Sequence, residues 1–207
     1  MSVEETYSAI ERAQQQYKAI APVVGDKQRY ALAFWRRVLN NSSAVAALAH
    51  AGFGAQSVAM HRLTIEHFAY MYALLNGTLT SEQAEKQNEY DLAQCAKALV
   101  LTGEVDKRAG RQVVEPELSA ALQDFASTEK MKNAETGGIS VYNLLDQLDL
   151  KFYHDQYRLH SLRAAHANIL SAIWEPSAEE TDHLLADVRS ILEISGLAWE
   201  AEAAKAA

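Results

Sequence analysis

The sequence predicts an all-α protein, a single helical bundle of seven or eight helices. Three observations carry that reading. Only 9 Gly and 3 Pro interrupt 207 residues, and the abundant Ala, Leu, Glu and Gln are good helix formers. Apolar residues recur at spacings of three and four, while strict alternation never runs beyond a few residues. Breaking and capping residues fall at helix-length intervals.

The elements follow in order. Val3, Tyr7, Ile10, Ala13, Tyr17 and Ile20 share one face of a first helix over 3–20, which Pro22 and Gly25 end. A second runs over about 27–50, with Tyr30, Phe34, Val38 and Ala44 on one side. Gly52 and Gly54 mark a turn into a third, over about 55–75, which Asn76 and Gly77 close. Thr80 and Gln83 form a capping box for a fourth, over about 81–101. Residues 103–114 read as a charged loop. Pro116 suits the first turn of a fifth helix that reaches about Lys132. Ser140 caps a short helix to Leu148, and a longer one spans about 150–174. Ser177 and Glu180 cap the last, about 178–203. The expectation is one domain over 1–207: N-terminal helices in 1–50, a core in 51–175 and a C-terminal helix in 176–207.

Composition narrows the function classes. Hydrophobic residues make up 49% of the chain, enough for a sizeable core. The net charge of −8 argues against whole-surface attraction to nucleic acid or an anionic membrane. No apolar run approaches the roughly 20 residues that span a bilayer, so the expectation is a cytoplasmic protein with no membrane partner. A lone Cys95 excludes a disulfide framework and reads as a small core or half-buried residue. Phosphate-binding glycine loops and the Gly-x-Ser-x-Gly elbow are absent from the sequence. His61 and His67 share no face closely, and Glu180 with His183 lacks the second pair that a di-iron bundle needs. No cofactor and no metal are expected. Trp35, Trp174 and Trp199 are candidates either for core packing or for a homodimer interface, and a protein partner is a second option.

Two apolar stretches carry polar groups that demand partners. Arg62 and Glu66 lie four apart, on one helix face. They form a surface ion pair, a buried pair that holds another helix, or part of a functional cluster. Some ninety positions on, Tyr157, His160 and Ser161 fall on one helical stripe, with Tyr153 a turn earlier. His166 points to nearly the opposite side, unless a one-residue bulge swings it back. Either His160 or His166 therefore joins the cluster. The candidate binding residues are Glu66, Tyr153, Tyr157, Ser161 and Asn168. The candidate catalytic residues are His166, His160 and Arg62.

At these residues the chain resembles a prokaryotic family of helical proteins, the domain-of-unknown-function family numbered 5677, over roughly residues 45–172. The first matching block runs from Gly54 to Leu75, with Arg62 and Glu66 in the family's Arg-x-x-x-Glu positions. The second runs from Ser140 through Tyr153, Tyr157, Arg158 and Ser161 to His166. The family places its His four residues after the Ser; here His166 is five after Ser161. The resemblance implies a fold and a site, not a substrate. A looser similarity is to HEPN-type helical proteins, many of them RNases of toxin and phage-defence systems. Their signature is an Arg, four to six residues, then a His. Arg163 to His166 is shorter than this, and Arg158 to His166 is longer.

Two readings follow. In the first, the protein is a helical bundle whose polar cluster binds a ligand or partner, with prokaryotic defence as a candidate setting. In the alternative, it is a metal-independent RNase, and only then is RNA a partner. His166 or His160 would then act as acid and base while Arg62 stabilises the phosphorane charge.

Overall fold

The computed structural model describes residues 3–25, 28–110, 115–166 and 168–206. They form ten α-helices and no strand. These are α1 (Val3–Ile20), α2 (Arg29–His50), α3 (Gly54–Asn76), α4 (Ser81–Arg108), α5 (Pro116–Ser127), α6 (Glu129–Lys132), α7 (Val141–Gln147), α8 (Lys151–His160), α9 (Ile169–Ile173) and α10 (Ala178–Ala206). A 3-10 turn covers Ala21–Val23 and a π-helical turn covers Ser161–Ala165.

The all-α class is therefore correct, and the helix count rises from seven or eight to ten. Two expected helices are each broken by a capping side chain. Thr128 stops the helix from Pro116, and its hydroxyl accepts the Met131 N–H to start α6. Asn168 does the same between α8 and α9. Helix α4 outlasts its expected end. Thr102 turns its hydroxyl back onto the Ala98 carbonyl without ending the helix, which continues to Arg108. Lys107 and Arg108 then sit in the last turn, where cations complement the exposed carbonyls. Of the expected 103–114 loop, residues 103–108 are helical, and Arg111 lies outside the described residues.

The chain packs as two compact units, one of Met1–Leu79 with Ser140–Ala207, the other of Thr80–Ile139. In the first, α1, α2, α3 and α10 surround the main core. Helices α2 and α3 form a hairpin across the three-residue turn at Ala51, Gly52 and Phe53. Trp35 and Trp199 are fully buried and stack with ring centroids 5.2 Å apart, and Tyr17 meets Trp35 edge-on. Val38, Ile65, Phe68, Val188 and Ile191 are fully buried as well. Gly54 opens α3 against Pro176. A Cβ there would lie 2.5 Å from the proline ring, so the position has room only for glycine.

The second unit is a hairpin of α4 and α5 closed by α6. It starts at the expected capping box, where Thr80 and Gln83 satisfy each other's backbone N–H. Its buried apolar residues, among those described, are Ala93, Ala96 and Met131. Cys95 is exposed rather than buried, because Ala93 and Ala96 occupy the inward positions of α4.

Candidate functional site

Helix α3 carries Arg62 near its middle, facing α8 and the π turn. The guanidinium Nε donates to Ser161 Oγ at 2.7 Å and Nη2 donates to Tyr157 Oη at 2.6 Å. Ser161 Oγ in turn donates to the Tyr157 carbonyl at 2.8 Å. The guanidinium carbon lies 4.5 Å from the centre of the Tyr157 ring. Arg62 Nη1 stands 3.6 Å from Glu66 Oε2, an ion pair rather than a close hydrogen bond. The Arg62 side chain is 19% exposed and that of Glu66 33%, so the cluster is sheltered and not sealed.

These contacts join residues 95 and 99 positions apart in sequence. A planar guanidinium with several donors is suited to fastening two hydroxyls at once. Ser161 opens the π turn. Its hydroxyl is thus held from both sides, by Arg62 and by the preceding turn of α8.

The two candidate histidines go separate ways. His160 faces α3, and its ring centre lies 5.4 Å from that of His61, which is fully buried. Both ring nitrogens of His61 and Nε2 of His160 are buried without a hydrogen-bond partner. Burial pushes His61 well below the usual imidazole range, and the neighbouring His160 lowers it further. Burial brings His160 down to about 4, with Arg163 adding to the shift. Both rings are therefore neutral at neutral pH. His166 is exposed, with an extended backbone just after the π turn. The bulge that would have swung His166 back does form, yet the chain leaves the helix at that residue.

Tyr153 is buried, edge-on to Phe68 with centroids 5.7 Å apart. Its hydroxyl is pushed up to about 12, by burial first and then by Asp187. It belongs to the α3–α8 packing, while the partners of Arg62 are Ser161, Tyr157 and Glu66. Asn168 is exposed. Its Oδ1 accepts the Ser171 N–H, while Nδ2 donates to the carbonyls of Leu162 at 2.9 Å and His166 at 3.0 Å. That amide is taken up in shaping the chain between the π turn and α9.

Sequence reasoning missed two partners. One is His61, weighed only against His67 for metal binding. It lies next to Arg62, and the signal in the sequence was its place three after Val58 and four before Ile65, on an apolar stripe of α3. The other is Arg163, which pairs with Glu180 at 2.9 Å and lies 5.1 Å over the Trp174 ring. Glu180 also caps α10, accepting the Ser177 N–H, so one carboxylate fastens both the π turn and the last helix. Among the described residues, no three side chains of His, Cys, Asp or Glu converge as a metal site would require. No described helix is long and apolar enough to cross a membrane.

The fold and site define a helical protein in which one arginine fastens a π turn to the middle of a core helix. The chain belongs to the Family of unknown function (DUF5677), whose model matches residues 28–181. Arg62, Glu66, Tyr157 and Ser161 all fall inside that span. No curated protein and no solved structure shows significant similarity to the chain.

Proposed function

We propose that this protein is a non-catalytic binding module. The Arg62, Glu66, Tyr157 and Ser161 cluster is its internal clamp. The corner made by α8, the π turn and α9 is the surface that receives a partner. The observation that carries this reading is the exposure of that corner: Ile169 is 83% exposed, Ile173 75% and Phe152 63%. Isolated apolar residues on a surface need no explanation, but a concentration of them marks an interaction site. The clamp contributes by holding the π turn, from which this corner is built. Arg62 is already committed to two hydroxyls, which suits a fastening role better than ligand capture.

The RNase alternative draws less support from the same geometry. A general acid or base works best with its pKa near the working pH, and His160 is neutral, buried and at about 4. His166 stands outside the bonded cluster.

The test pairs site-specific photocrosslinking with growth. A photoreactive residue at Ile173 should give a discrete adduct in cells, and one at Leu197, 60% exposed on α10, should not. Induced wild type, Arg62→Ala and His166→Ala should all permit growth, with and without phage challenge distinguishing a defence setting. Growth arrest by wild type that disappears in a stably folded His166→Ala would overturn the binding reading in favour of a toxin RNase.

A further inference from the structure

We infer that the occupant of the α8–α9 corner is a second copy of this chain, packed across a two-fold axis. This rests on the corner being a docking surface. It adds the identity of the partner.

Three observations support it. The first is area. Phe152, Leu159, Leu162, Ile169, Leu170 and Ile173 are 63%, 40%, 54%, 83%, 38% and 75% exposed. Summed over α8, the π turn and α9, these six residues expose roughly 600 Å², the scale of a monomer's largest apolar patch. Two such faces in contact remove on the order of 1,200 Å² from water, which reaches the size of a specific interface.

The second is the pattern along α8. Phe152, Asp155, Leu159 and Leu162 follow one another at spacings of three, four and three, so they share the outer face. Tyr153 and Tyr157 on the opposite side are occupied inward. A two-fold contact must be self-complementary. An axis crossing α8 beside Tyr157 lays the helix antiparallel on its copy. Phe152 then meets Leu162 of the second copy, and Asp155 comes within reach of Arg158 of the second copy.

The third is charge. The Asp155 side chain is 82% exposed, approaching its neighbour His154 at 3.7 Å and lying within electrostatic reach of Lys151 one turn earlier. Arg158 is exposed and makes no ion pair among the described residues. One helix therefore offers an acid and a base three positions apart, each with capacity for a partner, inside an apolar frame. A heterologous partner would not need that internal symmetry.

The experiment is sedimentation equilibrium on the full chain, with circular dichroism to confirm folding. Wild type should dimerise with a dissociation constant in the micromolar range or tighter. Arg158→Asp should weaken the dimer about tenfold or more, through like-charge repulsion with Asp155 of the copy. Combining Asp155→Arg with Arg158→Asp should restore it to within about threefold. Ile169→Glu with Ile173→Glu should give a folded monomer. If that pair fails to fold, the charge reversal decides alone. A dimer indifferent to the charge reversal would overturn the interface. So would a wild type that stays monomeric at about 100 µM. The Ile173 crosslink then separates the two failures. An adduct at twice the 22.9 kDa chain mass supports the second copy. An adduct to another protein overturns the dimer and leaves the corner as a docking site. No adduct overturns both.

Discussion

At the scale of single residues, Arg62 is the side chain on which most depends. Its two hydroxyl bonds are charge-assisted but only part-buried, and each contributes about 1–1.5 kcal/mol. Arg62→Ala should destabilise the protein by about 2–3 kcal/mol, Ser161→Ala and Tyr157→Phe by about 1 kcal/mol each. A denaturant cycle of Arg62→Ala with Ser161→Ala should show a coupling of about 1 kcal/mol; simple additivity would sink the clamp. Glu66→Gln should cost little, below about 0.5 kcal/mol, because the pair is long and a third of the carboxylate side chain is exposed. The sequence made Arg62, Glu66, Tyr157 and Ser161 legible, since polar groups on one stripe of an apolar helix must meet something. It could not show that hydroxyls, and not Glu66, take the shortest bonds. Nor could it pair His160 with His61, which depends on the rotation of α8 against α3. That pair has a pH consequence. The folded chain keeps both rings neutral, while the unfolded chain protonates them below about 6.5. The unfolded state then binds more protons, so stability is complete above about 6.5 and falls as the pH drops towards 4. For His160 the loss across that window approaches about 3 kcal/mol. Melting temperatures measured at pH 7.5 and 5 should converge in His160→Leu relative to wild type. An unchanged difference would mean that other groups set the acid limb.

At the scale of elements, the informative features are the breaks. Thr80 with Gln83 and Ser140 announce their helices with recognisable caps, and both caps form. The breaks at Thr128 and Asn168 were harder to read, because the apolar periodicity continues through them. In the second, Ser171 takes the place usually held by Glu or Gln in a capping box. Asn168 therefore looks like a candidate for binding when it is equally a candidate for capping. Its geometry permits a sharp expectation. Asn168→Ala removes the cap of α9 and both bonds to the Leu162 and His166 carbonyls. It should cost about 1–2 kcal/mol. Amide exchange should quicken across 162–173 and stay unchanged in α3. Asn168→Asp keeps the cap but not the two donor bonds, so it should fall between wild type and alanine. If it matched alanine, the cap would contribute nothing measurable. The π turn belongs to the same argument. It lies between two fastenings, Arg62 on Ser161 and Glu180 on Arg163, with Asn168 just beyond, and each draws on a different element. A one-residue excess in a helix persists when its surroundings hold it.

At the scale of the whole molecule, the helical class follows from few breakers and continuous three-and-four periodicity. The division into two packing units leaves a fainter mark. Thr80 begins α4 with the same cap that begins any helix, but residues 80–139 hold 18 of the chain's 46 charged residues, 2 of its 17 aromatics and none of its 7 His or 3 Trp. The difference lies in what each unit buries. The first unit encloses Trp35, Trp199, Phe68, Ile65 and Met71 completely. The second buries two alanines and Met131, among the described residues. Stability rises with apolar area removed from water, about 25 cal/mol per Å², so the two units should not melt together. The chain supplies a clean readout. Its three tryptophans, Trp35, Trp174 and Trp199, all lie in the first unit. Tryptophan emission therefore reports that unit alone, whereas helical ellipticity reports both. Heating or urea should remove part of the ellipticity first, with emission unchanged, and the remainder in step with the emission. A two-state chain would instead give coincident curves. Arg62→Ala should shift only the later transition, because every partner of Arg62 belongs to the first unit. A shift of the earlier one would mean that the hairpin of α4 and α5 draws its stability from the same core.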